Sequence, residues 1–292
     1  MTEKTKNKAY EVPDTIYLPT LIQESLLPLR TGPRKVSRTY RDVDITIQAG
    51  TWKGEDLTLP SGAIARKLFQ FIVQTAKHTK SPVVDLVSMN YLISTLGITK
   101  GSKNIRRLKE EIKALARMTI QVDKYKDDRE LGVMERVISR FSINGTNQDG
   151  QISLFGSWVE IAPEFWERIQ RQTGQPINRQ AVWDLSKPLA IDVYLWIQRR
   201  AQARDLGQDG AVIKWKDIQE QFGRPGQRLR DLKRDFGAAL DAAIEKIEDD
   251  EFSKGPMAKV VKEGVWIRRI PRQAHTEAQK NDLQGQMGWG LT

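Results

Sequence analysis

The sequence predicts an α+β fold made of two tandem copies of one small unit, and three observations predict it. Amphipathic helical patterns alternate with short extended runs from residue 60 onward. A short helix, a glycine-containing turn and a long basic helix follow one another twice, at 88–117 and at 216–249. Each of these pairs is followed by candidate strands able to close a hairpin.

Residues 1–58 carry Pro13, Pro19, Pro28 and Pro33 and a basic stretch, Arg30, Arg34, Lys35, Arg38 and Arg41. With little periodicity, they read as an extended arm with one or two short strands. After Pro60, the spacing of Ile64, Leu68, Phe71, Ile72 and Thr75 predicts a helix over 61–77. Val83 to Leu86 reads as extended, and Ser88 is a good N-cap for MNYLISTLG, which ends at Gly97. A helix over 102–117 follows, with Ile105, Leu108, Ile112 and Leu115 on one face and Lys103, Arg106, Lys109, Lys113 and Arg117 on the other. Strands MTIQVDKY and RVISRFSIN, joined by KDDRELGVME as a hairpin or wing, and a third run, QISLFGSWVEIAP, complete the unit.

The order then returns. A short helix is expected over 163–170 and a long one over 188–203, where proline sits at the permissive first turn. AVIKW is a short strand, and KDIQEQFG mirrors SMNYLISTLG in length and terminal glycine. A helix over 225–249 places Leu229, Leu232, Phe236, Leu240, Ile244 and Ile247 on one face. MAKVVKEG and VWIRRI form strands around a tight Glu263-Gly264 turn, and 273–292 reads as a flexible tail. Helix, strand, helix, helix, strand, wing, strand is the order of a winged helix. The expected organisation is therefore an arm (1–58), a first winged helix (59–162), a second winged helix (163–272) and the tail.

Composition narrows the chemistry. Against 37 acidic residues stand 47 Lys and Arg, a formal net charge of +10, which favours a polyanionic partner such as nucleic acid or an anionic membrane. The chain has no cysteine, which removes disulfides, cysteine-bound zinc and thiol nucleophiles. His78 and His275 are the only imidazoles and lie far apart in sequence, so a catalytic triad or a paired-histidine metal site is not expected. The acidic groups Asp127-Asp128 and Asp249-Asp250-Glu251 fall in turn-like segments without a partner that would mark metal or acid–base chemistry. No catalytic residue, metal or cofactor is predicted. With no apolar run of ~18 residues and a polar amino terminus, neither a membrane span nor a signal peptide is expected, and the location is cytoplasmic.

Two segments carry the functional reading. The first has seven cations, Lys100, Lys103, Arg106, Arg107, Lys109, Lys113 and Arg117, against Glu110 and Glu111. A solvated charged face is the plain alternative, but the imbalance and the preceding short helix favour DNA contact. Ser102, Lys103, Asn104 and Arg106 at the helix start are placed to reach base edges, and Lys109 and Lys113 to reach phosphates. The second segment, with Arg224, Gln227, Arg228, Arg230, Lys233 and Arg234, earns the same reading as the second copy of the pattern. Its helix turns acidic later, at Asp241, Glu245 and Glu248, so only its first turns suit a phosphate backbone. GITKGSK lacks the spacing of a phosphate-cradling loop and reads as an inter-helix turn. Gln151, Ile152, Ser153, Leu154 and Phe155 are similar to the pentapeptide by which bacterial proteins dock on the replicative sliding clamp, but an ordinary strand with Ile152 and Leu154 facing the core is the favoured reading, because such alternation is common at random. Tryptophans 158, 166, 183, 196 and 215 sit in amphipathic patterns that suit core packing.

From LPSGAIARKLFQFIVQTA and KSPVVDL through GSKNIRRLKEEIKALARMTI and FWERI to PINRQAVWDLSKPLAIDVYLWIQRRAQ, the chain resembles the RepA-type family of plasmid replication initiators over about residues 59–269. The resemblance implies tandem winged helices that bind directly repeated origin sequences (iterons) in double-stranded DNA. It also implies recruitment of host replication proteins, among them an initiator and a helicase or its loader, with the first winged helix contacting DNA and providing the dimer surface and the second as the main DNA-reading domain. Self-association between monomer and dimer, with the dimer repressing its own gene, is implied as well. A winged-helix repressor without initiator activity is the nearest alternative. A nicking initiator or recombinase lacks its histidines, and an RNA-binding module lacks its aromatic strand pattern.

Overall fold

The computed structural model describes residues 15–18, 27–40, 43–126, 129–143, 156–171, 175–201, 206–207, 209–224, 226–248 and 258–269. In chain order the elements are β1 (Thr15–Leu18), β2 (Lys35–Tyr40), β3 (Val43–Gln48), β4 (Thr51–Trp52), β5 (Glu55–Asp56), α1 (Gly62–Thr79), β6 (Val83–Val87), α2 (Met89–Thr95), α3 (Ser102–Arg117), β7 (Thr119–Lys126), β8 (Arg129–Arg136), β9 (Ile138–Ser142) and β10 (Ser157–Ile161). There follow α4 (Pro163–Arg171), β11 (Gln175–Asn178), α5 (Arg179–Asp184), α6 (Pro188–Ala201), β12 (Ala211–Lys214), α7 (Trp215–Phe222), α8 (Leu229–Glu248), β13 (Ala258–Val261) and β14 (Gly264–Ile267). The architecture is mixed α and β, and every strand pair is antiparallel.

α1 is the spine. Its apolar positions Leu68, Phe71, Ile72 and Ala76 are sealed from solvent, as their spacing predicts, but Arg66, Lys67, Gln70 and Gln74 on its other side are buried too. Such groups need partners away from water. Arg66 finds Asp192 of α6 (Nε to Oδ1 2.7 Å, Nη2 to Oδ2 2.6 Å) and also donates to the carbonyls of Leu27, Pro28 and Gly62. The Lys67 ammonium donates to the carbonyl of Trp183, and burial pulls its pKa down to about 8.

The short helix α2 starts where Ser88 Oγ accepts the Tyr91 N–H at 3.1 Å. Its end is a paired-carbonyl cap: Gly97 N–H donates to Ser94 and Ile98 N–H to Ile93, with Gly97 at φ 61°. Glycine serves there twice, because a Cβ would also lie 3.1 Å from the Trp183 carbonyl oxygen. α3 begins five residues later, at the predicted Ser102, and its Leu108, Ile112 and Leu115 enter the core.

One topology occurs twice. β6 lies between α1 and α2, and its sheet has the order β6-β10-β9; β12 lies between α6 and α7, and its sheet has the order β12-β14-β13. In both units a helix, a strand, a short helix, a basic helix and two strands occur in sequence, and the last strand lies between the first and the second. Among the described residues the second unit has nothing corresponding to β7 and β8, which join β2 and β3 in a separate four-stranded sheet of order β2-β3-β7-β8.

Several expectations are corrected. Residues 126–135, expected as a connecting hairpin or wing, mostly form β8, which pairs with β7 from Lys126↔Arg129 to Thr119↔Arg136. Low hydrophobicity hid it, since β8 is an edge strand that leaves Met134 72% exposed. The run expected as one strand from Arg136 is broken at buried Val137, where the chain passes from one sheet to another. The presumed arm supplies β2 and β3, with Ile45 and Ile47 alternating into the core. β11 and α5 were not anticipated. The tight turn falls on Lys262 and Glu263, and Gly264 opens β14 because a Cβ there would come within 1.8 Å of the Ile213 carbonyl oxygen. α8 starts at Leu229, whose side chain lies beyond the end of the core and is 39% exposed.

A continuous core runs from Leu27 to Ile267 through both units. Trp183, Trp196 and Trp215 are buried in it, and Trp196, Phe222 and Phe236 meet edge to face at 5.2–5.7 Å; Trp158 and Trp166 are half-buried. Among the described residues no helix is long and apolar enough to cross a membrane.

Candidate nucleic-acid interface

The start of α3 presents Lys100, Ser102, Lys103 and Arg106 to solvent, and among the described residues no carboxylate pairs with those three cations. Other predicted contacts have internal work. The Asn104 amide donates to the Thr99 carbonyl at 2.7 Å, fixing the turn that precedes the helix. Arg107 is paired with Glu111 one turn on and donates to Thr31 Oγ1 (2.8 Å) and Ser61 Oγ (2.7 Å), so its guanidinium ties α3 to the start of α1. Glu111 is buried and accepts the Ser61 N–H at 3.0 Å. Burial raises its pKa to about 7, against the pull of Arg107 and the Ser61 N–H. Lys109 is half-buried and engaged, while Lys113 lies 5.8 Å and Arg117 5.1 Å from the Trp52 ring centre. Trp52, backed by Phe141 at 5.3 Å, went unnoticed in the sequence because β4 is two residues long.

The second site is built around one carboxylate. The Gln227 N–H donates to the Arg224 carbonyl, closing a turn, and the Arg228 carbonyl accepts Asp231 and Leu232 N–H groups as α8 begins. Asp235, in the second turn of α8, accepts from Arg224 Nη2 (3.2 Å) and Gln227 Nε2 (3.3 Å) on one oxygen, and from Arg234 Nε (3.2 Å) and Nη2 (3.0 Å) on the other. Gln227 Oε1 in turn accepts the Arg224 N–H at 3.1 Å, and Gln219 of α7 donates to the Gln227 carbonyl. The bonds to Asp235 hold the Arg234 guanidinium above its ordinary pKa. Arg228 and Arg230 are exposed and, among the described residues, paired with no carboxylate. Lys233 lies over Trp215 at 5.3 Å. Asp241 and Glu245 make the outer face of the later turns acidic.

The hairpin β13–β14 adds exposed Lys262 at its turn and Lys259 over Trp266 at 5.2 Å, two cations beside α8 that sequence reasoning did not single out. Gln151, Ile152, Ser153, Leu154 and Phe155 lie outside the described residues.

Two antiparallel units, each presenting a basic helix start, define a protein suited to a polyanion. The family model described as "Plasmid encoded RepA protein" matches residues 75–217. Over that stretch, just under half of its length, the chain is similar to this family of plasmid replication initiators. The match includes α2 and α3 and ends within α7, so α8 lies outside it. Crystal structures of domains 2 and 3 of RctB have the same overall fold. A selenomethionine form is 11% identical, with a TM-score of 0.51 over 82% of this chain and 86% of that one. A second is 12% identical, with a TM-score of 0.50 over 85% and 96%. No characterised protein matches the chain by sequence.

Proposed function

We propose that the chain is an iteron-binding initiator whose two units are tandem winged helices, with α3 and α8 entering successive stretches of the major groove. The repeated strand order, β6-β10-β9 and β12-β14-β13, around a short helix and a basic helix carries this reading. Lys100, Ser102, Lys103 and Arg106 read or grip DNA from the first unit, with Arg107, Lys109 and Lys113 supporting them from partly enclosed positions. Arg224, Gln227, Arg228, Arg230, Lys233 and Arg234 act from the second. Opening of the origin needs no catalytic residue, because bending stores deformation energy in the duplex. In this reading the protein works in the bacterial cytoplasm. It represses its own gene as a dimer through the strands of the first unit and recruits host replication proteins, with 151–155 as a docking segment for the sliding clamp.

The test is a footprint on the DNA flanking its gene at two salt concentrations with competitor DNA. Protection recurring at a regular interval of about two helical turns, and surviving the higher salt, is the expected result. A single protected inverted repeat over a promoter would replace the initiator with a repressor. Uniform, salt-labile coverage would reduce both basic helices to an electrostatic surface.

A further inference from the structure

The strongest unexplained feature of the second site is an acid where the proposed ligand is an acid. Asp235 stands among Arg224, Arg228, Arg230 and Arg234, and a carboxylate on a face meant for phosphates repels them. Its contribution to folding does not account for it. The Arg224 and Arg234 side chains are 45% and 71% exposed and Asp235 30%, and ion pairs of that exposure add little to stability. Nor is it a first-turn acid satisfying the helix dipole, a place already held by Asp231.

What Asp235 does is gather three donors from two segments. One oxygen takes Arg224 and Gln227 from the turn before α8, and the other takes Arg234 from the helix itself. Gln227 is thereby fixed on both sides, since its Oε1 accepts the Arg224 N–H while its Nε2 reaches Asp235. The turn is fixed to α7 as well, through Gln219. Two consequences follow. The donors reach DNA already ordered, so less side-chain entropy is lost on forming base contacts. And two of the four arginines already share one carboxylate in the free protein, so random phosphate must compete with Asp235 for them.

We propose that Asp235 is a specificity-determining residue of the DNA-reading helix, holding Arg224, Gln227 and Arg234 in a preset array and keeping two guanidinium groups engaged against non-specific DNA. This rests on the reading of α8 as a DNA-reading helix. Discrimination here comes from a repulsive element as much as from attractive ones. Asp231, 3.4 Å from Arg234 and not bonded to the turn, lacks this role.

The experiment measures binding of the full chain, and of its D235A, D235N, D231A and R230A variants, to footprinted origin DNA and to scrambled DNA of equal length over a series of salt concentrations. D235A is expected to bind scrambled DNA roughly tenfold more tightly, with a salt slope steeper by up to about two, as two arginines become available to phosphate. Its preference for origin DNA should fall by about tenfold or more. D235N, keeping one acceptor oxygen, should fall between, and D231A should change the slope by about one at most. Affinities of D235A that match wild type on both DNAs, or that weaken by the same factor on both with an unchanged salt slope, would overturn the proposal. D235N answers the same question if D235A melts early. R230A separates the two claims: undiminished origin binding by R230A removes α8 from the interface, and the role of Asp235 with it.

Discussion

At the scale of residues, the molecule's most consequential polar contacts lie between its two repeated units and not on its surface. Arg66 and Asp192 are 2% and 5% exposed and meet through two hydrogen bonds. Losing one partner strands the other charge in the core, so R66A or D192A is expected to lose roughly 3–5 kcal/mol of stability. The pair itself is worth far less than that. R66M/D192L, with apolar groups of similar volume, should recover much of that loss in urea while stopping short of the wild-type midpoint, because the buried Leu27 carbonyl loses its donor, a non-additivity that a double-mutant cycle reads directly. Glu111 makes a prediction in pH. Its folded pKa of about 7 stands above the ordinary carboxylate value of 4.5, so the native state binds the extra proton between those values and stability falls as pH rises through that window. The fall is on the order of 3 kcal/mol for a shift of this size. E111Q should flatten it. Urea titrations at pH 4.5 and 7.5 test this, and an unchanged slope in E111Q would assign the pH dependence elsewhere.

At the scale of elements, how much could be read in advance depended on where each element's information lies. α3 was legible to the residue because Ile105, Leu108, Ile112 and Leu115 keep one azimuth and Gly101 marks its start. α2 was legible through Ser88 and Gly97, which are capping chemistry and therefore local. β8 was not, since Leu131 and Val133 alternate with Gly132 and share their face of the strand with Arg129 and Glu135. Its strand character comes from pairing with β7, which no window of sequence contains. The site was legible as a list of cations and illegible as an arrangement. Nothing in GRPGQRLRDLKRD says that Asp235 gathers Arg224, Gln227 and Arg234, or that Arg107 is turned inward to Glu111. The element that the proposed function most depends on is α8, and its first turns should be separable from its fold. Arg228, Arg230 and Arg234 are exposed, so R228E/R230E/R234E is expected to keep the melting temperature within a few degrees while abolishing specific binding. Unchanged affinity in a gel-shift assay would remove this helix from the interface.

At the scale of the whole molecule, duplication of a unit does not make two independent bodies. α1 belongs by topology to the first unit, yet its polar side is satisfied by the second, through Asp192 for Arg66 and the Trp183 carbonyl for Lys67. Phe69 of α1 stacks on Phe165 of the segment between the units at 6.1 Å, α7 lies beside β2, and β1 pairs with β11. Each of these contacts joins residues more than 90 positions apart. Separation would expose apolar surface and leave buried charges unpaired at once. The chain is therefore expected to unfold in one transition: urea curves followed by far-UV circular dichroism, which reports helices of both units, and by tryptophan fluorescence should share a midpoint and an m value. A fragment of residues 163–269 should show no cooperative transition of its own, because α6 without α1 leaves Asp192 without Arg66 and uncovers the side that packs on α1. Two resolved transitions in the full chain, or a cooperative fragment, would mean that the units are joined only by a linker. One transition would mean that α3 and α8 belong to one cooperative frame, so that, under the proposed function, the spacing between the two stretches of DNA would be set by the Arg66–Asp192 seam as much as by the two helices themselves.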